Sequence, residues 1–65
     1  MRTTYDPEVD ALYVRFAESR IVESEEVRPG IVFDLDETGR IVGVEILDAS
    51  EHLAQGADLT HLTAA

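Results

Sequence analysis

Carboxylates are the commonest groups in this chain that could do chemistry, and some of them follow the spacing of a calcium-binding loop. Asp34, Asp36 and Thr38, then a glycine and after five more residues Glu45, nearly match the EF-hand pattern. An EF-hand needs a helix on each side, whereas a Pro-Gly pair and alternating apolar residues precede this loop. We therefore predict a hairpin turn with solvated carboxylates and no metal site. Asp34, Asp36, Thr38 and Glu45 are the weak candidate ligands.

Other reactive side chains form no recognisable site. The chain has no cysteine, which excludes disulfides and thiolate chemistry. His52 and His61 are nine residues apart, a spacing that does not place them on one helical face. Ser24 and Ser50 do not lie in a nucleophile-elbow pattern. We predict no catalytic residue, no cofactor-binding residue and no cofactor.

The charge balance restricts the partners. Fourteen acidic residues against five arginines and no lysine give a formal net charge of −9 over 65 residues. Such a charge repels nucleic acid and anionic membranes, and it attracts basic proteins. No apolar run approaches the roughly 20 residues of a membrane span. We expect a cytoplasmic protein that binds neither nucleic acid nor membrane.

Hydrophobic alternation predicts an antiparallel sheet. Residues 31–47 form two apolar-alternating arms joined by a turn at 37–40, which is typical of a hairpin. Residues 2–5 and 11–18 form a second hairpin around an Asp-Pro turn. Residues 21–27 are extended in propensity and rich in glutamate, which suits a sheet edge.

Two registers are open for the 31–47 hairpin. Residues 36–39 suit a three-residue loop with a glycine bulge, which places Asp34 and Asp36 on the face of Val42 and Val44. An even loop instead keeps one face apolar, and we favour it because burying an unpaired carboxylate costs several kcal/mol. The pairs of the even loop are Leu35 with Val42, Phe33 with Val44 and Ile31 with Ile46. The bulged register would leave both faces partly apolar and favour a dimer.

The pattern changes after the second hairpin. Asp48 and Glu51 have the spacing of a capping box, which predicts a short helix over 48–54 with Gly56 beyond its end. Residues 55–65 are expected to be a tail, either a short helical turn or disordered. Asp6 and Asp10 are expected to bond the backbone of the first turn.

These elements predict one α+β domain over 1–65 with its folded core in 2–54. The sheet is an antiparallel meander of four or five strands, and the C-terminal helix packs on one face. With so short a helix as cover, part of the apolar face is expected to remain open. The predicted core residues are Leu12, Val14, Phe16, Phe33, Leu35, Val44, Ile46 and Leu53.

Three segments carry a family resemblance. YDPEVDALY over residues 5–13, ESEEV over 23–27 and GRIVGVEILDAS over 39–50 resemble the YuzE-like family of small prokaryotic proteins of unknown function. The resemblance covers about residues 4–53 and implies a compact, mainly β domain. Some members are thought to be encoded beside small toxin-like proteins, which suggests an antitoxin role. The family offers no catalytic motif to carry over.

Together these features favour a non-enzymatic protein-interaction module. Its expected partner is a second copy, giving a homo-dimer, or a small basic protein that it neutralises in the manner of an antitoxin. The alternative is a small metal-dependent or hydrolytic enzyme that uses Asp34, Asp36 and Glu45.

Overall fold

The chain folds into a five-stranded antiparallel sheet followed by one short helix, as a computed structural model of residues 1–59 shows. The α+β layout is confirmed, and the predicted tail at 55–65 lies partly outside the described residues. The elements are β1 (Arg2–Asp6), β2 (Ala11–Arg15), β3 (Glu23–Arg28), β4 (Ile31–Leu35), β5 (Ile41–Ile46) and α1 (Ala49–His52).

The strand order shows that the predicted meander is wrong. The order is β1-β2-β5-β4-β3, so β5 separates β2 from the rest and β3 forms an edge. Pairing β2 with β5 places Leu12 opposite Ile46 and Val14 opposite Val44. A meander would have paired β2 with the glutamate-rich β3. The observed order joins apolar residues to apolar residues because cross-strand pairs of this kind stabilise a sheet.

The turn between β4 and β5 uses the three-residue loop. The N–H of Asp36 donates to the carbonyl of Arg40 at 2.9 Å, and the N–H of Gly39 donates to the carbonyl of Asp36 at 3.0 Å. Gly39 has φ 84°, the left-handed conformation that this loop requires at its third position. The turn chemistry therefore follows the sequence of 36–39.

A second irregularity restores the even register. Leu35 pairs with Ile41 rather than with Val42, and a register shift follows between Asp34 and Leu35. Val42 is the extra residue of this bulge. Beyond it the predicted pairs return, Phe33 with Val44 and Ile31 with Ile46. The register of the three-residue loop thus holds next to the turn, and the even register holds over the rest of the hairpin.

The register gives the sheet two different faces. We call one the apolar face; it carries Leu12, Val14, Ile31, Phe33, Val44 and Ile46. We call the other the polar face; it carries Tyr13, Arg15, Ser24, Asp34 and Glu45.

Burial within the core is limited. Leu12 is buried as predicted, whereas most of the other predicted core residues are half-buried. Phe16 is 52% exposed, so its assignment to the core is wrong, because it lies beyond the last residue of β2. Val42 and Ala49 are buried, at 1% and 0% exposure, although neither was predicted.

The helix is shorter than predicted and is capped differently. It spans Ala49–His52 and ends well before Gly56. Asp48 has a left-handed backbone, φ 52°, and its side chain makes no capping hydrogen bond, so the predicted capping box is wrong. Asp10 caps the helix instead. Its carbonyl accepts the N–H of Ala49 at 2.8 Å, and its carboxylate accepts the N–H of Ser50.

Candidate functional site on the polar face

The polar face contains a cavity of about 540 Å³. Two adjacent strands supply its chemistry, since β4 contributes Asp34 and β5 contributes Glu45. Tyr13 of β2 lines the same cavity, opposite Glu45 in the register. The alternation of strand side chains brings these three residues to one face.

Asp34 is the buried polar side chain of this site. It is 4% exposed, and the hydroxyl of Ser24 donates to its Oδ1 at 2.7 Å. The sequence predicted a solvated carboxylate here, and that prediction is wrong. Asp34 faces Ser24 on one side and Gly43 on the other.

Glu45 and Asp34 form an interacting carboxyl pair. Burial raises the pKa of Glu45, and the negative charge of Asp34 and a hydrogen bond between the two carboxyl groups raise it further. Two neighbouring carboxylates disfavour double ionisation, which agrees with the raised pKa of Glu45. A pair of this kind can exchange a proton or accept a cationic group.

Gly43 makes room for Tyr13 beside this pair. A Cβ atom at Gly43 would lie 2.6 Å from the Tyr13 hydroxyl oxygen and 3.0 Å from the carbonyl oxygen of Val14. Tyr13 pairs with Glu45 but reaches across the position of Gly43. The absence of a side chain at Gly43 therefore determines where the Tyr13 hydroxyl lies.

The other two residues of the calcium-loop pattern lie in the hairpin turn. Asp36 Oδ1 accepts three hydrogen bonds. Thr38 donates two of them, from its backbone N–H at 2.8 Å and from its hydroxyl at 2.6 Å, and the N–H of Arg40 donates the third at 3.0 Å. The hydrogen bond from the Thr38 hydroxyl is the main reason that the pKa of Asp36 is lowered, with the Arg40 backbone next. The turn thus engages Asp36 and Thr38, while Asp34 and Glu45 face the cavity. Within residues 1–59, no group of three or more His, Cys, Asp or Glu side chains is arranged to hold a metal ion.

The histidines are not brought together in the described part of the chain. His52 is half-buried, and its Nε2 lies 2.7 Å from the position that a Cβ of Gly30 would occupy. His61 lies outside the described residues.

The signature residues of the first turn have separate roles. Asp6 accepts the N–H of Glu8 at 2.9 Å, as predicted for a turn. Asp10 does not bond to its own turn; it accepts the Tyr5 hydroxyl at 2.6 Å and the Ser50 hydroxyl at 2.6 Å. These bonds lower the pKa of Asp10, with the Ser50 hydroxyl the largest cause, and raise that of Tyr5. A contact across forty residues leaves no local pattern, so sequence reasoning missed it.

Comparison with known proteins gives the family. A family model described as "Protein of unknown function (DUF2283)" matches residues 2–50. The chain belongs to this DUF2283 family. The matched span includes the Asp34–Glu45 pair and ends at Ser50, the partner of Asp10. No curated protein and no solved structure gave a match. Among residues 1–59, no helix has the length and apolar character needed to cross a membrane.

Proposed function

We propose that this DUF2283 protein is a non-enzymatic binding module whose partner is a small basic protein. The supporting observation is that the carboxylates of the chain far outnumber its own arginines. Arg2 and Arg15 both approach Glu18, at 3.5 Å each, so two of the five arginines serve one carboxylate. The remaining carboxylates far outnumber the remaining arginines. A basic partner would relieve their mutual repulsion, and it would be attracted over long range.

The resemblance of residues 4–53 to the YuzE-like family supports the same function. Some members of that family are thought to be encoded beside small toxin-like proteins, and the antitoxin role would be neutralisation by direct binding. Nucleic acid is disfavoured as a partner because phosphate would meet a surface of the same sign.

The test is affinity purification of the tagged chain from its native host after mild cross-linking. We expect a basic protein in defined stoichiometry, and the purified pair should re-form from separated components with an affinity that falls with salt. Recovery of the chain alone, under conditions that retain known complexes, contradicts the proposal.

The Asp34–Glu45 pair favours a second candidate, an acid–base or metal-dependent enzyme. The pair lines the 540 Å³ cavity beside Tyr13, and a carboxyl with a raised pKa is suited to proton transfer. Asp36, the third residue of this candidate, is held by the turn and would act only indirectly. Calorimetry with calcium, magnesium and manganese at millimolar concentration tests the metal-dependent form. Heat that disappears in Asp34→Asn supports it, and no heat for any ion rejects it.

Two exposed apolar side chains support a homo-dimer as a further mode of association. Phe16 is 52% and Ile41 is 44% exposed, and the N–H of Phe16 donates to the carbonyl of Val42, next to Ile41. Phe16 directly follows β2 and Ile41 begins β5, and exposed large apolar side chains that lie close together are typical of contact surfaces. Sedimentation equilibrium should show a dimer that Phe16→Ser weakens. A monomer at all concentrations would contradict this mode.

A further inference from the structure

β3 is an edge strand with an unpaired side. It pairs only with β4 in the strand order, so one row of its backbone N–H and C=O groups faces away from the sheet. All six of its residues are exposed, which shows that no described part of the chain covers it. An edge of this kind can accept another strand through main-chain hydrogen bonds.

The regular part of this edge is acidic. Glu23, Glu25 and Glu26 fall within the stretch that pairs residue by residue with β4, before the register shift between Glu26 and Arg28. Within residues 1–59, none of these three carboxylates is in an ion pair. Edge-to-edge pairing with a second copy would oppose like charges, which is destabilising.

We infer that the β3 edge binds an extended segment of a basic protein by strand addition; this rests on the function proposed above and locates its binding surface. The register also defines the partner. Glu25 lies opposite Phe33 and Glu23 opposite Leu35, so both point to the apolar face. Glu26 lies opposite Val32, on the other face.

A complementary strand therefore carries Arg or Lys at two alternate positions on the side of the apolar face. It carries a third basic residue opposite Glu26, directly beside the position opposite Glu25 and on the other face of the added strand. The two alternate cations face Glu23 and Glu25 as cross-strand pairs. The main-chain bonds supply affinity, and the three charge pairs select basic segments against acidic ones.

The test uses two synthetic nonapeptides of valine, one with arginine and one with glutamate at the three positions that face Glu23, Glu25 and Glu26. Binding to the full chain is measured by calorimetry, and the amides that change are identified by ¹⁵N chemical-shift perturbation. We expect only the arginine peptide to bind, with shifts centred on β3 and β4 and protection of β3 amides from exchange. Removing three exposed ion pairs by E23Q/E25Q/E26Q should weaken binding about tenfold.

The matched control is E8Q/E37Q/E51Q, which removes the same charge at exposed positions outside β3. It should retain most of the affinity. The charge-swapped variant E23R/E25R/E26R should reverse the preference and bind the glutamate peptide. Equal weakening in the two triple-glutamine variants would show non-specific attraction and overturn the inference. Perturbation confined to β1, the other edge, or to the apolar face of a second copy would also overturn it.

These outcomes separate the inference from the proposed function. A native basic partner that binds E23Q/E25Q/E26Q as tightly as the unmodified chain would preserve the function and reject the β3 edge as its site. The absence of a native partner rejects the function whatever the peptides do.

Discussion

The carboxylate of Asp10 accepts both the backbone N–H and the hydroxyl of Ser50, forty residues further along the chain. Its Oδ1 also accepts the Tyr5 hydroxyl at 2.6 Å. One side chain in the first turn thus joins β1 to the start of α1. A four-residue helix has little stability of its own, so it depends on this tertiary contact.

Replacement of Asp10 should release the helix. Asp10 has φ 55°, so alanine would lose the cap and also adopt an unfavourable backbone conformation, whereas glycine would lose only the cap. We expect the melting temperature to fall by roughly 5 °C in Asp10→Gly and by more in Asp10→Ala. Asp10→Asn retains an acceptor and tolerates this conformation, so its melting temperature should fall least. Equal melting temperatures for the three variants would contradict the capping role.

Asp48 should respond in the opposite way. It has φ 52° and no side-chain bond to the helix that it precedes. Asp48→Gly relieves the left-handed conformation at no cost in capping, so we expect a gain of about 0.5 kcal/mol in the free energy of unfolding. Urea denaturation measures this free energy. Asp48→Ala is the matched variant, because alanine keeps the strain of the left-handed backbone. Destabilisation by glycine would mean that the Asp48 side chain does cap the helix.

A side chain at Gly43 should disturb the polar face. The Cβ of Gly43→Ala would lie too close to the Tyr13 hydroxyl and to the Val14 carbonyl, and we expect a loss of about 1–3 kcal/mol. In a Tyr13→Ala background the cost should shrink, because only the backbone contact remains. A double-mutant cycle by urea denaturation measures this coupling. Purely additive effects would show that the Tyr13 ring is not held over Gly43.

The carboxyl pair predicts a pH-dependent effect of Glu45. Its pKa is raised in the folded state, so its contribution to stability is present below the pKa of an unfolded glutamate and is lost as pH rises through the raised value. Glu45→Gln keeps a donor toward Asp34 without the charge. We expect it to melt about 3 °C higher than the unmodified chain at pH 7 and no higher at pH 4. Glu37→Gln is the exposed control, and an equal gain from it would reject the pair.

Asp10 and Asp36 should have the opposite pH dependence to Glu45, because they stabilise the fold at neutral pH and lose that effect in acid. Both have a lowered pKa because hydrogen bonds favour their ionised forms. Their contribution is present above the pKa of an unfolded aspartate, about 3.9, and is lost as pH falls through the lowered values. Carboxyl ¹³C NMR should show both groups titrating below the usual pKa of an aspartate, about 3.9. The shift at Asp10 should shrink in Ser50→Ala, and an unchanged titration there would contradict the contact.

Local patterns in the sequence predicted much of the fold. Alternation gave the two hairpins, the glutamate content of 23–27 indicated an edge, and residues 36–39 indicated the loop that forms. The bulge at Val42 was not predictable, because it reconciles a local turn preference with a register that the whole sheet selects. The position of β5 beside β2 depends on which apolar faces combine, and neither hairpin specifies this alone.

The candidate site was predicted less well than the fold. Asp34 and Glu45 were predicted only as weak candidate ligands of a calcium loop, together with Asp36 and Thr38. The structure divides these four residues between strands and turn. Burial of Asp34 depends on the neighbours of β4, and those follow from strand order rather than from any local motif. The Asp10–Ser50 contact depends on a fold already formed.

The strand order also determines the sequence of events in folding. β3, β4 and β5 are consecutive neighbours, so they can pair as soon as they are made. The β1–β2 hairpin is made first but must wait for β5, which completes only at Ile46. Closing that long loop is the slow, entropically costly step. A nascent chain therefore leaves the β2 edge of its first hairpin unpaired until β5 is complete at Ile46, more than two thirds of the way along the 65 residues.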